Sequence, residues 1–247
     1  MLFMKVSFLM LTIDRYEITK KVWENNLINT HNFDLEFLIC DNGSEDKRII
    51  DYFKPIAKYH RVNFKNEGIA KAFNQLYLRS SGEYIVCMGN DIALPYNWLS
   101  TAISYLDKIH NPGLCGFDWG HSSLPPLSER FGIQAHWTNK EFHKVFGSWI
   151  FKRSLIDDLG FFYDNFDKYG LEDSEFNERV FRSGYNSFYL PGMKSEHLCH
   201  DVGQSSEYRK MKDIALDKNY YIMQERLKIF DAGGPLTCPL PEKRDSL

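Results

Sequence analysis

The sequence predicts an α/β protein with a mostly parallel central sheet flanked by helices, in a single domain. Two observations carry that expectation. Up to about residue 95, apolar strand-like runs alternate with helix-like segments, the signature of a parallel sheet covered on both faces. The chain is also 247 residues long, enough for one well-buried core, and nothing in it demands a second.

The elements follow in order. Residues 5–13 form the first buried strand; Lys5 interrupts the apolar run and Asp14-Arg15-Tyr16 follows it, so a strand suits it better than a secretory leader. Residues 17–29 have helical composition, with Ile18, Val22 and Leu27 available for an inner face, and residues 35–40 read as a strand buried on both sides. A second helix is expected over 47–59, a short strand over 62–64, and a third helix over 68–79, stopped by Ser80-Ser81-Gly82. Residues 83–88 are the next strand. The stretch from Gly116 to Gln134 reads as a long functional loop, and the last third mixes helices with short strands. We expect one domain over 1–232, divided into a ligand-binding half (1–95) and a second half (96–232). A tail follows over 233–247, poorly ordered or draped on the surface.

Composition excludes several classes. A formal net charge of −3 offers no bulk attraction for nucleic acid. No stretch has the ~20 apolar residues of a membrane helix, so a soluble, cytoplasmic protein is expected, with peripheral membrane contact left open. The five cysteines form no C-x-x-C pair, which points to a reducing compartment without a disulfide framework. No heptad pattern indicates an oligomeric state.

In open α/β sheets ligands collect at the carboxyl ends of strands, and Thr12, Asp41 and Asp91 all fall there. Asp41 precedes the turn Asn42-Gly43-Ser44-Glu45-Asp46; if Ser44 or Asp46 caps the next helix, the Asp41 carboxylate is left for a base or ribose. Asn66-Glu67-Gly68 opens a helix where small residues admit a ligand to the backbone and the N-terminus favours phosphate, although plain packing explains it equally well. Gly89-Asn90-Asp91 is the best metal candidate, since a carboxylate there can bind a hard cation carried by a diphosphate, yet a turn aspartate is the commoner case. Glu172 and Asp173 open a helix; dipole stabilisation needs one of them, leaving the other to deprotonate a hydroxyl. His197 and His200 flank Cys199 without a second ligand pair at zinc spacing.

Taken in order, these segments resemble the family-2-like glycosyltransferases of the GT-A fold, over roughly residues 4–205. Leu11-Thr12-Ile13-Asp14-Arg15 is similar to that family's first strand end, and Leu38-Ile39-Cys40-Asp41-Asn42-Gly43-Ser44 to its nucleotide loop. Asn66 to Asn74 matches its N-x-G-x-A-x-A-x-N helix, and Gly89-Asn90-Asp91 its D-x-D segment. Gly147 to Phe151, Leu159 to Phe162, Gly170-Leu171-Glu172-Asp173 with Arg179, and His197 are similar to its acceptor-side half.

The resemblance implies an inverting transferase that moves a sugar from a nucleotide diphosphate sugar, a UDP-sugar first, to a glycan or glycoconjugate hydroxyl. Thr12 and Asp41 would hold base and ribose, with Asp14, Arg15, Asn42, Gly43, Asn66, Gly68, Asn74 and Asn90 around the donor. Asp91 and His197 would bind Mn²⁺ or Mg²⁺, Asp173 would be the general base, and Glu172 its orienting neighbour. Gly89 departs from the family by removing the first acid of D-x-D. Two alternatives remain: a nucleotide-sugar-binding protein that has lost catalysis, motivated by Gly89, and a sugar nucleotidyltransferase, which lacks a Gly- and Lys/Arg-rich triphosphate loop here. Acceptor selection is expected from His121, Ser122, Ser123, Trp137, His143 and Trp149, although these aromatics could equally pack the core.

Overall fold

A computed structural model describes residues 4–28, 30, 32–118, 120, 124–142, 144–198 and 206–240. The chain runs β1 (Lys5–Thr12), α1 (Tyr16–Leu27), β2 (Asp34–Asp41), α2 (Lys47–Phe53), β3 (Tyr59–Val62), α3 (Ile69–Tyr77) and β4 (Tyr84–Met88). It continues with β5 (Ile92–Ala93), α4 (Trp98–Leu106), β6 (Pro112–Asp118), β7 (Leu127–Arg130), β8 (Ile133–Trp137), β9 (Trp149–Lys152) and α5 (Ser154–Leu159). The last elements are α6 (Glu172–Arg182), β10 (Asn186–Lys194), β11 (Glu196–His197) and α7 (Ser206–Asp231).

Nine strands form one sheet in the order β3-β2-β1-β4-β9-β6-β10-β8-β7. The first four pair in parallel, as expected when each strand is followed by a crossover helix. β9 enters between β4 and β6, antiparallel to both, and joins the two halves of the molecule. One core packs on each face of the sheet, the first around Trp23, Phe53 and Trp98, the second around Phe151, Phe161 and Phe176. β1 sits near the middle, and Val6, Phe8, Leu9 and Met10 are fully buried, because a central parallel strand has apolar neighbours on both sides.

Three expectations shift. The second helix ends at Phe53 rather than at 59, because Pro55 brings no backbone N–H and disfavours helix in the residue before it. The short strand lies at Tyr59–Val62, and the apolar Val62 and Phe64 that suggested 62–64 are exposed. Part of the Gly116–Gln134 stretch is a β7–β8 hairpin, turned by Phe131 and Gly132 at φ 54° and 70°, the two positive angles that match hairpin twist. The tail is draped through residue 240: the Cys238 amide donates to the Leu159 carbonyl at 2.7 Å and its side chain is buried. Among the described residues no helix is long and apolar enough to cross a membrane.

Candidate active site

A cavity of about 1060 Å³ opens at the carboxyl ends of β1 and β4, where parallel strands direct their loops. Its walls bring together Thr12, Asp14, Arg15, Asn42, Asn90, Asp91, Glu172, Asp173 and His197 from the sequence-predicted set.

β1 ends in an unusual bend. Asp14 and Arg15 both take left-handed backbone angles, φ 49° and 61°, which non-glycine residues seldom adopt without being held. Asp14 is held from the neighbouring loop: its amide donates to Ser44 Oγ at 2.7 Å, and its Oδ1 accepts from the Glu45 and Asp46 amides at 2.8 and 3.1 Å. The bend aims the Arg15 guanidinium across the cavity, where Nη1 donates to Asp91 Oδ2 at 3.0 Å.

Asp91 also faces His197, whose Nε2 lies 3.2 Å from the same Oδ2. Backbone pairing makes this possible. β11 lies antiparallel to β5 with His197 opposite Ile92, and the Leu198 amide donates to the Asp91 carbonyl at 2.7 Å. Burial alone would push the Asp91 carboxyl up, but His197 and Arg15 outweigh it and hold it below the ordinary carboxylate range. At Gly89, a Cβ would meet Ile92 Cδ1 at 3.0 Å. A side chain at position 89 would therefore need Ile92 to give way by a few tenths of an ångström, and no group of three ligating side chains assembles among the described residues. A two-residue set of Asp91 and His197 would need phosphate oxygens to complete a divalent cation's shell, and Asp91 Oδ2 would have to exchange its contacts with Arg15 and His197 for the ion.

On the opposite wall, Gly170 (φ 88°) and Leu171 (φ 72°) turn the chain into α6, so that Glu172 and Asp173 start the helix at the cavity. Burial first, and then the neighbouring Asp173 charge, pushes the Glu172 carboxyl up. Burial likewise raises Asp173, opposed by the Ser174 N–H and by Lys144. The pair resists double ionisation, because burial and the charge of Asp173 both favour the protonated form of Glu172.

Other predicted residues lie behind the cavity. Asp41 is fully buried, and the expectation that its carboxylate is free fails. Oδ1 accepts from the Ser44 amide at 2.9 Å, and Oδ2 takes the Thr12 hydroxyl at 3.0 Å together with the Ser44 hydroxyl. Asp46 does cap α2, accepting from the Arg48 amide at 3.1 Å. Asn74 is fully buried as well: Nδ2 donates to the Phe162 carbonyl at 2.8 Å, and Oδ1 accepts from the Phe162 amide at 3.0 Å. It ties α3 to the 162 segment and does not face the cavity, because both ends of its amide are occupied. Asn66 supports Asn42, accepting from its Nδ2 at 2.9 Å, and Gly68 starts α3 at φ 98°. Gly43 turns at φ 94° against the Lys65 backbone. Trp137 is buried in the first core, its Nε1 donating to the Ser128 carbonyl at 3.0 Å, so packing and not acceptor contact accounts for it. Trp149 lines the cavity but is mostly buried, stacked on Phe162. His121, Ser122, Ser123, His143, Cys199 and His200 lie outside the described residues.

Sequence reasoning missed a wall. Tyr208, Lys212 and Leu216 of α7 line the cavity, and the buried positions Ala215, Asn219, Met223, Arg226 and Phe230 mark the inner face of that helix. Their spacing of three and four is the readable signal.

The glycosyl transferase family 2 profile matches residues 7–160, more than half of the chain and both acidic strand-end loops. The chain belongs to this family. Its fold is shared with a mannosyltransferase from Pyrobaculum calidifontis in complex with GDP-Man and Mn²⁺, with TM-score 0.60 and 19% identity over 80% of this chain and 58% of that one. It is shared with S. aureus TarS, with TM-score 0.62 and 15% identity over 79% of this chain and 37% of that one. GalNAc-T7 with UDP, GalNAc and Mn²⁺ gives TM-score 0.60 and 12% identity over 95% and 59%. This family 2 chain thus spans less than two thirds of the length of each of the three. A comparison with curated proteins gives no match.

Proposed function

We propose that this family 2 chain is an inverting glycosyltransferase, moving a sugar from a nucleotide diphosphate sugar to a hydroxyl of a glycan or glycoconjugate. The observation that carries the reading is the meeting of two features across one cavity. The Arg15–Asp91–His197 cluster stands at the strand ends, and the pair of buried Glu172 and half-buried Asp173 lies in the wall of the same cavity.

A role in chemistry follows for each side. Thr12 and Asp41 form a buried unit that fixes the loop of Asn42 and Glu45, and that loop lines the base and ribose end. Asp91 and His197 would hold a divalent cation, Mn²⁺ or Mg²⁺, and the chemistry it would supply there is positive charge for the leaving diphosphate. Asp173, ionised, takes the proton of the acceptor hydroxyl while its oxygen attacks the anomeric carbon from the face opposite the leaving group. Glu172, whose carboxyl burial and the Asp173 charge push up, keeps its proton and donates a hydrogen bond to orient that hydroxyl. One displacement inverts the anomeric centre.

UDP is the nucleotide we favour: TarS in complex with UDP-GlcNAc shares the fold, as does GalNAc-T7 with UDP, while the GDP-Man complex marks GDP as the competitor. A reducing, cytoplasmic setting suits the four free thiols among the described residues, all of them buried. The test is a thermal-shift panel of UDP-, GDP-, dTDP- and CMP-sugars with Mn²⁺, Mg²⁺ or EDTA. A metal-dependent rise in melting temperature with one nucleotide supports the reading. No rise with any nucleotide sinks it.

A further inference from the structure

The turn that delivers the acid pair is built from segments that pair with no strand. Residues 167–171 run into two successive left-handed angles at Gly170 and Leu171, so their backbone groups need partners from elsewhere. One side chain supplies most of them. Asn219, in the middle of α7, is fully buried. Its Oδ1 accepts from the Asp167 amide at 2.7 Å, and its Nδ2 donates to the carbonyls of Tyr169 at 2.9 Å, Gly170 at 2.8 Å and Asp167 at 3.3 Å. Only a primary amide offers an acceptor and two donors from one planar head at this length.

The same helix face continues the grip. Leu216 packs at Gly170 so closely that a Cβ there would stand 2.4 Å from Leu216 Cδ2. One turn earlier, Lys212 Nζ lies 4.3 Å from the centre of the Tyr169 ring. Toward the other end, Arg226 Nη2 donates to Glu175 Oε1 at 2.8 Å, inside α6 itself. Positions 212, 216, 219 and 226 share one stripe of the helix, and all of them touch either the turn or the helix that carries the acids.

We propose that α7 is a working wall of the active site and that Asn219 is a positioning residue, locking the 167–171 turn so that Glu172 and Asp173 open α6 at the cavity. The inference rests on the glycosyltransferase reading for its consequence. The lock stands on geometry alone. α7 lies beyond residue 160, where the family profile match ends.

The test compares Asn219→Ala and Asn219→Ser with Met223→Ala, a buried neighbour on the same helix that packs in the second core. Three quantities are read. UDP affinity comes from calorimetry with Mn²⁺, turnover from a panel of UDP-glucose, UDP-N-acetylglucosamine and GDP-mannose, and carboxyl titration from ¹³C NMR of Glu172 and Asp173. Asn219→Ala keeps the wild-type UDP affinity, lowers kcat by about 100-fold, the scale of a misplaced catalytic group, and moves the carboxyl titration toward the ordinary carboxylate range. Asn219→Ser, which retains one donor and one acceptor, moves the same quantities less, and it carries the comparison if the alanine variant does not fold. Met223→Ala lowers the melting temperature and leaves kcat and titration as in wild type. An Asn219→Ser or Asn219→Ala protein with wild-type kcat and titration overturns the proposal, as does a Met223→Ala protein that reproduces both losses. If the wild type neither binds UDP nor turns over, the glycosyltransferase reading fails, and the NMR comparison still decides the role of Asn219.

Discussion

Arg15 and Asp91, 76 residues apart, meet at 3.0 Å in the cavity wall, with only 6% of the Arg15 side chain and 16% of the Asp91 side chain exposed. The contact joins the loop after β1 to the loop after β4, so the ion pair ties the two strand ends together at the cavity. Arg15→Met leaves Asp91 buried with His197 as its remaining partner. We expect a loss of about 1–3 kcal/mol in urea unfolding and an upward shift of the Asp91 carboxyl. An unchanged unfolding midpoint contradicts the assignment.

The acid pair predicts an opposite sign. Glu172 and Asp173 are both raised by burial, so the folded protein binds protons here more readily than the unfolded chain does. Stability therefore falls as pH climbs from the ordinary carboxylate range toward the raised values. Glu172→Gln removes one charge. It is expected to raise the melting temperature at neutral and alkaline pH and to leave it little changed in acid, where both carboxyls are protonated already. Melting curves across pH 4–9 that superimpose for the two proteins would refute this.

Glu36 on β2 shows the stabilising sign, far from the cavity. It is buried and accepts from Ser7 Oγ at 2.6 Å, Lys58 Nζ at 2.5 Å and the Gly82 amide at 3.1 Å. Burial alone would raise its carboxyl, yet Lys58, Ser7 and Ser81 hold it at about 2. Its contribution is complete above the ordinary carboxylate range and is lost as pH falls toward that value. Glu36→Gln should cost about 2 kcal/mol at pH 7, with the deficit shrinking in acid, and should leave nucleotide affinity intact. A deficit that does not depend on pH is the contrary result.

Much of the cavity was legible because strand ends announce themselves: Thr12, Asp41 and Asp91 each close or follow an apolar run, and parallel topology brings such ends together. What the sequence hid was direction. Asp41 and Thr12 read as ligand contacts, yet their side chains turn to each other and to Ser44, because a buried carboxylate takes the nearest donors. Asn74 shows the same inward turn. Trp137 and Trp149 could not be placed by composition, since a ring packs a core and a sugar face alike. The role of α7 was invisible because a helix reveals its stripe but not its partner: Asn219 contacts residues 49 to 52 positions earlier, a pairing that only the fold creates.

If Asp173 is the base of a nucleotide-sugar transferase, nucleotide release by Asp173→Asn beside wild type, with donor affinity determined on both, measures it most directly. The variant is expected to bind the donor as wild type does and to release nucleotide diphosphate at least about 100-fold more slowly, within the range that removal of a general base costs. A variant that turns over at the wild-type rate contradicts it.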